Sequence, residues 1–329
     1  MAAKRITVER IGLLADVAEM YFLGGMTQEQ IAARVGTTRS MISRMLKEAR
    51  EKGIVDIRIR RPLAYERSLE NALVERFGLE SAHVLIHPPN DDQPLVKRLG
   101  EAGAEVLSGF LRPGLRLGIA WGTAVSATVN ALEVVGQIPV EIVQLAGALG
   151  ARRHEYDGNT LAESLRRKLG GDIFYLNAPY IVESKEAAKS LLSNADIREA
   201  IERGKGCDVA VVGIGSIDPA HSSFDLADYA SPEELEAMLD QGAVGDVCGR
   251  QFNMRGRPVR SALGGRLMAI QWKDLLAIPI RIGVSGGPGK VKPILGAARG
   301  RVVNVLVTDK LAAEESLRMD AAPGESEAG

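Results

Sequence analysis

Two cysteines in 329 residues, Cys207 and Cys248, are too few and too far apart for a disulfide framework. Both lie in apolar, strand-like runs, so buried thiols in a reducing cytoplasm are expected. Histidine is nearly as scarce: His83, His87, His154 and His221 form no metal-spaced cluster with either cysteine, and structural or surface roles are favoured over ligation. No apolar stretch approaches the ~20 residues of a membrane span. The opening MAAKRITVER has no apolar core of the signal-peptide kind. A soluble cytoplasmic protein, with no membrane partner and no metal, is therefore expected. Net charge is nearly absent too, at −1, but it is unevenly placed. Residues 1–61 hold twelve Lys and Arg against seven Asp and Glu, and the remainder is acidic. Such an arrangement suits a chain whose head alone meets phosphates.

The most informative stretch that is present is MTQEQIAARVGTTRSMISRMLK, residues 26–47. Ile31, Ala32 and Val35 repeat at helical spacing in a first helix from Thr27 to Arg34. Gly36 breaks that helix, and Thr37 is placed to cap the next. In the second helix Met41, Ile42, Met45, Leu46 and Ala49 form an apolar stripe, which leaves Thr38, Arg39, Ser40, Ser43, Arg44 and Lys47 on the opposite face. Small Ala32 permits close approach of the two helices, and the pattern is that of a helix-turn-helix whose second helix enters a major groove. Gln28, Thr37, Thr38, Arg39, Ser40, Ser43, Arg44 and Lys47 are the candidate DNA contacts, because arginine can bind guanine bidentately and hydroxyls reach phosphates or base edges. The competing reading is a plain helical hairpin with a solvated charged face. Upstream, Ile11, Leu14, Ala15, Ala18, Tyr21 and Phe22 predict a helix that seals this module and ends at Gly24-Gly25. Downstream, the alternation of Ile54, Val55, Ile57 and Ile59 with charged residues predicts a strand, hence a winged module. Arg58, Arg60 and Arg61 on it either approach the DNA backbone or protect an edge from pairing.

Residues 62–80 predict a linker helix, with Leu63, Leu69, Leu73 and Phe77 as a stripe before Gly78 and a coil-like stalk as one outcome. Beyond it, β-rich runs at 82–86, 115–120, 140–147, 172–176, 207–215, 278–286 and 302–309 alternate with helical patterns at 94–111, 123–135, 159–169, 184–204, 231–240, 289–299 and 309–318. This alternation predicts a doubly wound, mostly parallel α/β domain over 81–319. Residues 320–329 read as a disordered tail. The expected fold class is thus α/β, with an N-terminal winged helix-turn-helix domain over 1–61.

Ligands of open α/β sheets bind beyond the carboxyl ends of the strands. Three loops stand out there. Gly118-Ile119-Ala120-Trp121-Gly122-Thr123 leads from a strand into a helix start that favours an anion. Gly286-Gly287-Pro288-Gly289-Lys290 repeats that layout with a lysine. Gly242-Ala243-Val244-Gly245-Asp246 offers a carboxylate to sugar hydroxyls. The candidate effector residues are Trp121, Gly122, Thr123, Gly147, Gly215, Asp246, Gly286, Gly287 and Lys290. For each glycine a tight turn is the plainer explanation. None of the loops is a nucleotide motif: Val291 follows Lys290 where a P-loop needs Ser or Thr, and Asp218 stands where Gly213-Ile214-Gly215 would need its third glycine. ATP, NAD and other cofactors are not expected.

The chain resembles the SorC family of bacterial sugar-responsive transcriptional regulators over nearly its whole length. The resemblance is carried by TQEQIAARVGTTRSMISRMLKEAREKGIVDIRI at 27–59, GIAWGTAVSATV at 118–129, VQLAGALG at 143–150, VAVVGIGS at 209–216, GAVGDVCGRQFN at 242–253 and GVSGGPGKVKPILGAARG at 283–300. It implies a body related to sugar-phosphate isomerases and deaminases, an effector that is usually a phosphorylated sugar, and dimers or tetramers on operator DNA. It also implies that Thr123 and Lys290 contact phosphate and that Asp246 faces the sugar. One departure is Ala146, where some relatives carry a polar ligand residue. No lysine occurs between Lys97 and Lys168, which argues against a Schiff-base effector in those loops. The change points to a smaller or less charged ligand, a polyol or its phosphate, with Arg152 and Arg153 placed to compensate.

The expected protein is a regulator of a carbohydrate or polyol operon and not an enzyme. The alternative, a sugar-phosphate isomerase or deaminase, needs an acid and a base in the ligand loops. No histidine falls in a glycine loop, and only His221, near Asp218 and Asp225, stands close. An architectural nucleoid protein is a third reading, and the acidic body argues against it.

Overall fold

The computed structural model describes residues 8–55, 62–87, 93–149, 156–218, 220–221, 230–261 and 263–321. The chain divides into two compact units, Met1–Pro62 and Leu63–Gly329.

The first unit is built from helices α1 (Val8–Phe22), α2 (Gln28–Val35) and α3 (Arg39–Glu51). Helix α2 opens with a capping box: Thr27 Oγ accepts from the Gln30 amide, and the Gln30 side chain accepts from the Thr27 amide. Gly36 closes α2 in the left-handed conformation, φ +72°, which costs a residue without Cβ little. The cap of α3 is Thr38, one residue beyond the expected Thr37. The reason is that the Thr37 amide is spent on Ala32 O in closing α2, so the extended backbone of an N-cap falls on Thr38, whose Oγ accepts from Met41. Leu14, Val17, Ala18, Ile31, Ala32, Ile42, Met45, Leu46 and Ala49 form the core. Ile11, Ala15, Phe22 and Met41, expected inside, are exposed, and Val17 was not anticipated. A three-helix unit covers only a narrow stripe of each helix, and 14, 17, 18 is the stripe of α1 that faces the other two. Ile54 and Val55 pack on this core without strand structure. The rest of the expected wing, with Arg58, Arg60 and Arg61, lies outside the described residues.

The second unit centres on a parallel sheet in the order β1-β10-β9-β5-β2-β3-β4. Its strands are β1 (Ser81–Leu85), β2 (Arg116–Ile119), β3 (Val140–Gln144), β4 (Gly171–Phe174), β5 (Val209–Gly213), β9 (Ile280–Val284) and β10 (Val305–Asp309). All seven overlap the expected runs, with β1 and β4 each starting one residue earlier. Alternate residues face opposite cores: Val209, Val211, Val305 and Val307 on one side, Ala210, Val212 and Leu306 on the other. Burial on both faces explains why these strands read as continuous apolar runs. The flanking helices include α4 (Arg67–Phe77), α5 (Leu95–Ser108), α6 (Thr123–Ala131), α7 (Gly158–Leu169), α12 (Val291–Arg299) and α13 (Lys310–Ala321).

Several expectations are corrected. The run 207–215 leaves the sheet after β5, and β6 (Gly215–Ser216) joins an antiparallel sheet with β7 (Ala243–Val247) and β8 (Arg250–Asn253). Asp246 therefore sits in a strand and not in the loop expected at 242–246. The helix expected at 184–204 breaks into α8 (Lys185–Leu192) and α9 (Ala195–Lys205), because the Asn194 side chain caps α9. Helices α10 (Pro232–Asp240) and α11 (Trp272–Ala277) belong to the same unit, and α11 was not anticipated. Helix α4, inside the expected linker, buries Leu73 fully in the core of the body and is no stalk. The last helix runs to Ala321, two residues into the expected tail, and its Asp320 binds Arg76 of α4 and Arg299 of α12.

Candidate functional site

On α3, Thr38, Arg39, Ser40, Ser43, Arg44 and Lys47 are all exposed, while Gln28 and Thr37 are half-buried at the start of α2 and in the turn. The helix thus presents the polar face expected of it. Arg39 is paired with Glu29 of α2 at 2.9 Å, and Lys47 with Glu51 at 3.7 Å. Both pairs are solvent-exposed, where screening leaves such contacts weak, so neither holds its cation back from a phosphate. Among the described residues Arg44 has no ion-pair partner, and its guanidinium is free for a base edge.

In the body the chain winds from β2 through β3 to β4 in one direction, and from β5 through β9 to β10 in the other. The reversal lies between the neighbours β2 and β5, and at such a switch point a crevice opens beyond the strand ends. A cavity of about 250 Å³ lies there. The loop after β2 contributes Trp121, Gly122 and Thr123; the loop after β9 contributes Ser285, Gly286 and Lys290; the small sheet contributes Gly215, Ser216, Asp246, Cys248 and Gly249.

Each part has a local cause. Gly122, φ +134°, caps α6, whose first turn leaves the amides of Thr123, Ala124 and Val125 without intrahelical acceptors. Gly287, φ +89°, donates its amide to the buried Asp309 at 2.6 Å, and the Lys290 amide donates to Gly287 O, so the turn is closed on itself. The β7–β8 hairpin turns through Cys248 and Gly249, both at positive φ, as a two-residue turn with right-handed strands requires. Gly249 donates its amide to Asp246 Oδ2 at 3.0 Å and leaves no room for a side chain beneath the Tyr180 hydroxyl. Gly215 is likewise glycine because the Asp246 carboxylate lies against it. Trp121 and Tyr180 meet edge to face, 4.5 Å between ring centres, at the cavity wall.

Asp246 and Lys290 give the cavity its electrostatic character. Burial raises the Asp246 carboxyl above its ordinary pKa, opposed by the Gly249 hydrogen bond and by Lys290. Burial lowers the Lys290 ammonium, opposed by Asp246. Among the described residues the Lys290 side chain has no hydrogen-bond or ion-pair partner, which leaves its three donors for an anion.

Of the nine candidate effector residues, Trp121, Gly122, Thr123, Gly215, Asp246, Gly286 and Lys290 line the cavity. Gly147 does not: it is packed against the backbone of Ala178 and Pro179 and donates to Met268 O. Gly287 is turned to Asp309 instead. Leu95, Val96 and Leu99 of α5 were missed, because in sequence they read as core stripe, and Tyr180 was missed because it falls between the predicted elements and reaches the wall only through tertiary packing. Ser216 and Ser285 were legible as residues just past strand ends. Ala146 is buried beside Tyr180 and Leu267 and does not line the cavity. Arg152 and Arg153 lie outside the described residues. His221 packs on Gly289, with Nδ1 2.9 Å from Asp218 Oδ2, and Asp225 lies outside the described residues. Among the described residues no group of His, Cys, Asp and Glu is placed to hold a metal, and no helix is long and apolar enough to cross a membrane. Cys207 and Cys248 are both buried, as expected.

Comparison with known proteins adds to this geometry. A family model described as "Putative sugar-binding domain" matches residues 61–318, and one for a Crp-like helix-turn-helix domain matches residues 13–65. The transcriptional regulator LsrR of Klebsiella pneumoniae subsp. pneumoniae is 32% identical, over 97% of this chain and 99% of its own. The deoxyribonucleoside regulator of Bacillus subtilis is 30% identical, over 92% of this chain and 96% of its own. The crystal structure of the full-length sorbitol operon regulator SorC from Klebsiella pneumoniae superposes with a TM-score of 0.73 at 29% identity, covering 93% of this chain and 98% of that one.

Proposed function

The chain belongs to the SorC family of sugar-binding transcriptional regulators, and from that premise we propose that its effector is a small phosphorylated sugar or polyol seated between Lys290 and Asp246. The observation that carries this reading is the half-buried, unpartnered Lys290 beside two glycine-led turns, with a carboxylate across the same cavity. A helix start and a lysine suit a phosphate; a carboxylate that can only accept suits hydroxyls. The volume of about 250 Å³ lies at or below the small end of the ~300–1,000 Å³ common for ligand pockets, so one short chain of hydroxyls fits and a dinucleotide does not. The relatives named for sorbitol and deoxyribonucleosides support the choice of probes.

The first unit reads operator DNA in the cytoplasm through α3, and homodimers or homotetramers pair two such heads. Half-sites one helical turn apart, about 34–36 Å, fit only one arrangement of the pair. An effector that prefers another arrangement by the usual 1–3 kcal/mol of coupling shifts the population and changes occupancy. Thermal-shift titration of wild type and Lys290→Ala with sorbitol 6-phosphate, deoxyribose 5-phosphate and the unphosphorylated parents tests the effector. The phosphates are expected to raise the wild-type Tm and to leave the variant unmoved. An equal rise with the neutral parents would overturn the phosphate assignment.

A further inference from the structure

Helix α5 touches the cavity at one end and the connector from the head at the other. Leu95, Val96 and Leu99, in its first turns, line the cavity. Glu105, about 13 Å along the axis from Val96, accepts a hydrogen bond from the Tyr65 hydroxyl at 2.9 Å. Tyr65 belongs to the segment that directly follows Pro62, the last residue of the first unit. That segment lies along β1, the edge strand of the sheet: the Ile86 amide donates to Ala64 O and the Glu66 amide to Val84 O, each at 2.8 Å.

Helix α5 is packed tightly on α6. A Cβ on Gly100 would come within 2.5 Å of Ala127, and one on Gly103 within 2.6 Å of Thr128 Oγ1. These glycines bring the backbones of α5 and α6 into direct contact, and close-packed elements transmit displacement instead of absorbing it. Helix α6 itself starts at the cavity, with Gly122, Thr123 and Ala124 in the wall. Whatever fills the cavity therefore touches the starts of two helices that are packed backbone to backbone. Burial and the Glu105 partner both raise the Tyr65 phenol, so it stays a donor at any working pH.

We propose that the α5–α6 block carries cavity occupancy to the connector of the DNA-binding head, and that the Tyr65–Glu105 hydrogen bond is the joint through which it acts. The inference rests on the effector reading of the cavity given above. Coupling of this kind needs an element with two arrangements that both sites bias; the Ala64–Glu66 pairing on the sheet edge supplies an element whose opening is measurable amide by amide.

Amide hydrogen exchange of the full-length protein at Glu66 and Ile86, with and without saturating sorbitol 6-phosphate, tests it. In wild type the probe is expected to change their exchange by about threefold or more. In Tyr65→Phe and Glu105→Ala, each of which removes one partner of the hydrogen bond, that change disappears, while affinity for the probe stays within about twofold of wild type. A bound probe that leaves the two amides unchanged in wild type, or changes them equally in both variants, overturns the lever. Absence of any probe binding counts against the phosphorylated effector instead, and the lever is then judged without ligand from Val96→Trp, which crowds the cavity end of α5. That substitution is expected to alter exchange at Glu66 and Ile86, and to lose the effect when combined with Tyr65→Phe; no alteration by Val96→Trp overturns the lever.

Discussion

Burial acts on Asp246 and Lys290 in opposite directions along the pH scale, raising the carboxyl and lowering the ammonium, because in each case the charged form loses its hydration. The folded Asp246 holds its proton above the ordinary value of 3.8, so the unfolded chain binds fewer protons in that window and stability falls as pH rises through it. Above both values the whole penalty is present. Asp246→Asn is therefore expected to raise the Tm at pH 7, by about 2–4 °C for each kcal/mol released, and to lose that advantage as pH falls towards 3.8. Differential scanning calorimetry across that range checks it; a gain that grows on acidification would contradict the sign. The same variant is expected to lose its response to a polyol phosphate. Gly215 is coupled to this residue by lack of space, since a methyl group there would overlap the Asp246 carboxylate.

Helix α3 combines a cap, a buried stripe and a reading face, and substitutions separate the three. Thr38→Ala removes the oxygen that accepts from Met41 and is expected to cost about 0.5–2 kcal/mol of stability, measured by urea unfolding, without changing base preference. Arg44→Ala is expected to weaken operator binding by about 1–3 kcal/mol at one base position if its guanidinium is bidentate to guanine. Lys47→Ala is expected instead to weaken all sequences alike and to lower the salt slope by about 1. Fluorescence anisotropy against promoter and scrambled duplexes at several ionic strengths distinguishes these outcomes. In the body, the α5–α6 contact is the least forgiving pairing: Gly100→Ala places a methyl against the Ala127 backbone, and overpacking of this kind costs about 1–3 kcal/mol.

At the scale of the whole chain, the division at Pro62 separates reading from sensing. A chain beginning at Leu63 is expected to keep the ligand-dependent rise in Tm and to lose DNA binding altogether; a thermal shift without ligand response would place part of the site in the head. Much of this organisation is local in origin and was legible for that reason. Periodicity placed the seven parallel strands, glycine and hydroxyl caps placed the helix-turn-helix, and residues just past strand ends placed Thr123, Gly286 and Lys290, because each depends on neighbours a few positions away. Caps competing for adjacent residues shifted one assignment, from Thr37 to Thr38. The rest depends on residues far apart in sequence. Only the tertiary structure brought Leu95, Val96, Leu99 and Tyr180 into the cavity wall, folded Asp246 into a hairpin across from Lys290, and turned Gly147 and Gly287 away from it. It also tied Tyr65 to Glu105, forty residues on. A helical stripe looks the same whether it faces a core or a ligand, and which it faces is decided by the winding of the sheet, which reverses between β2 and β5 and opens the space that those side chains line.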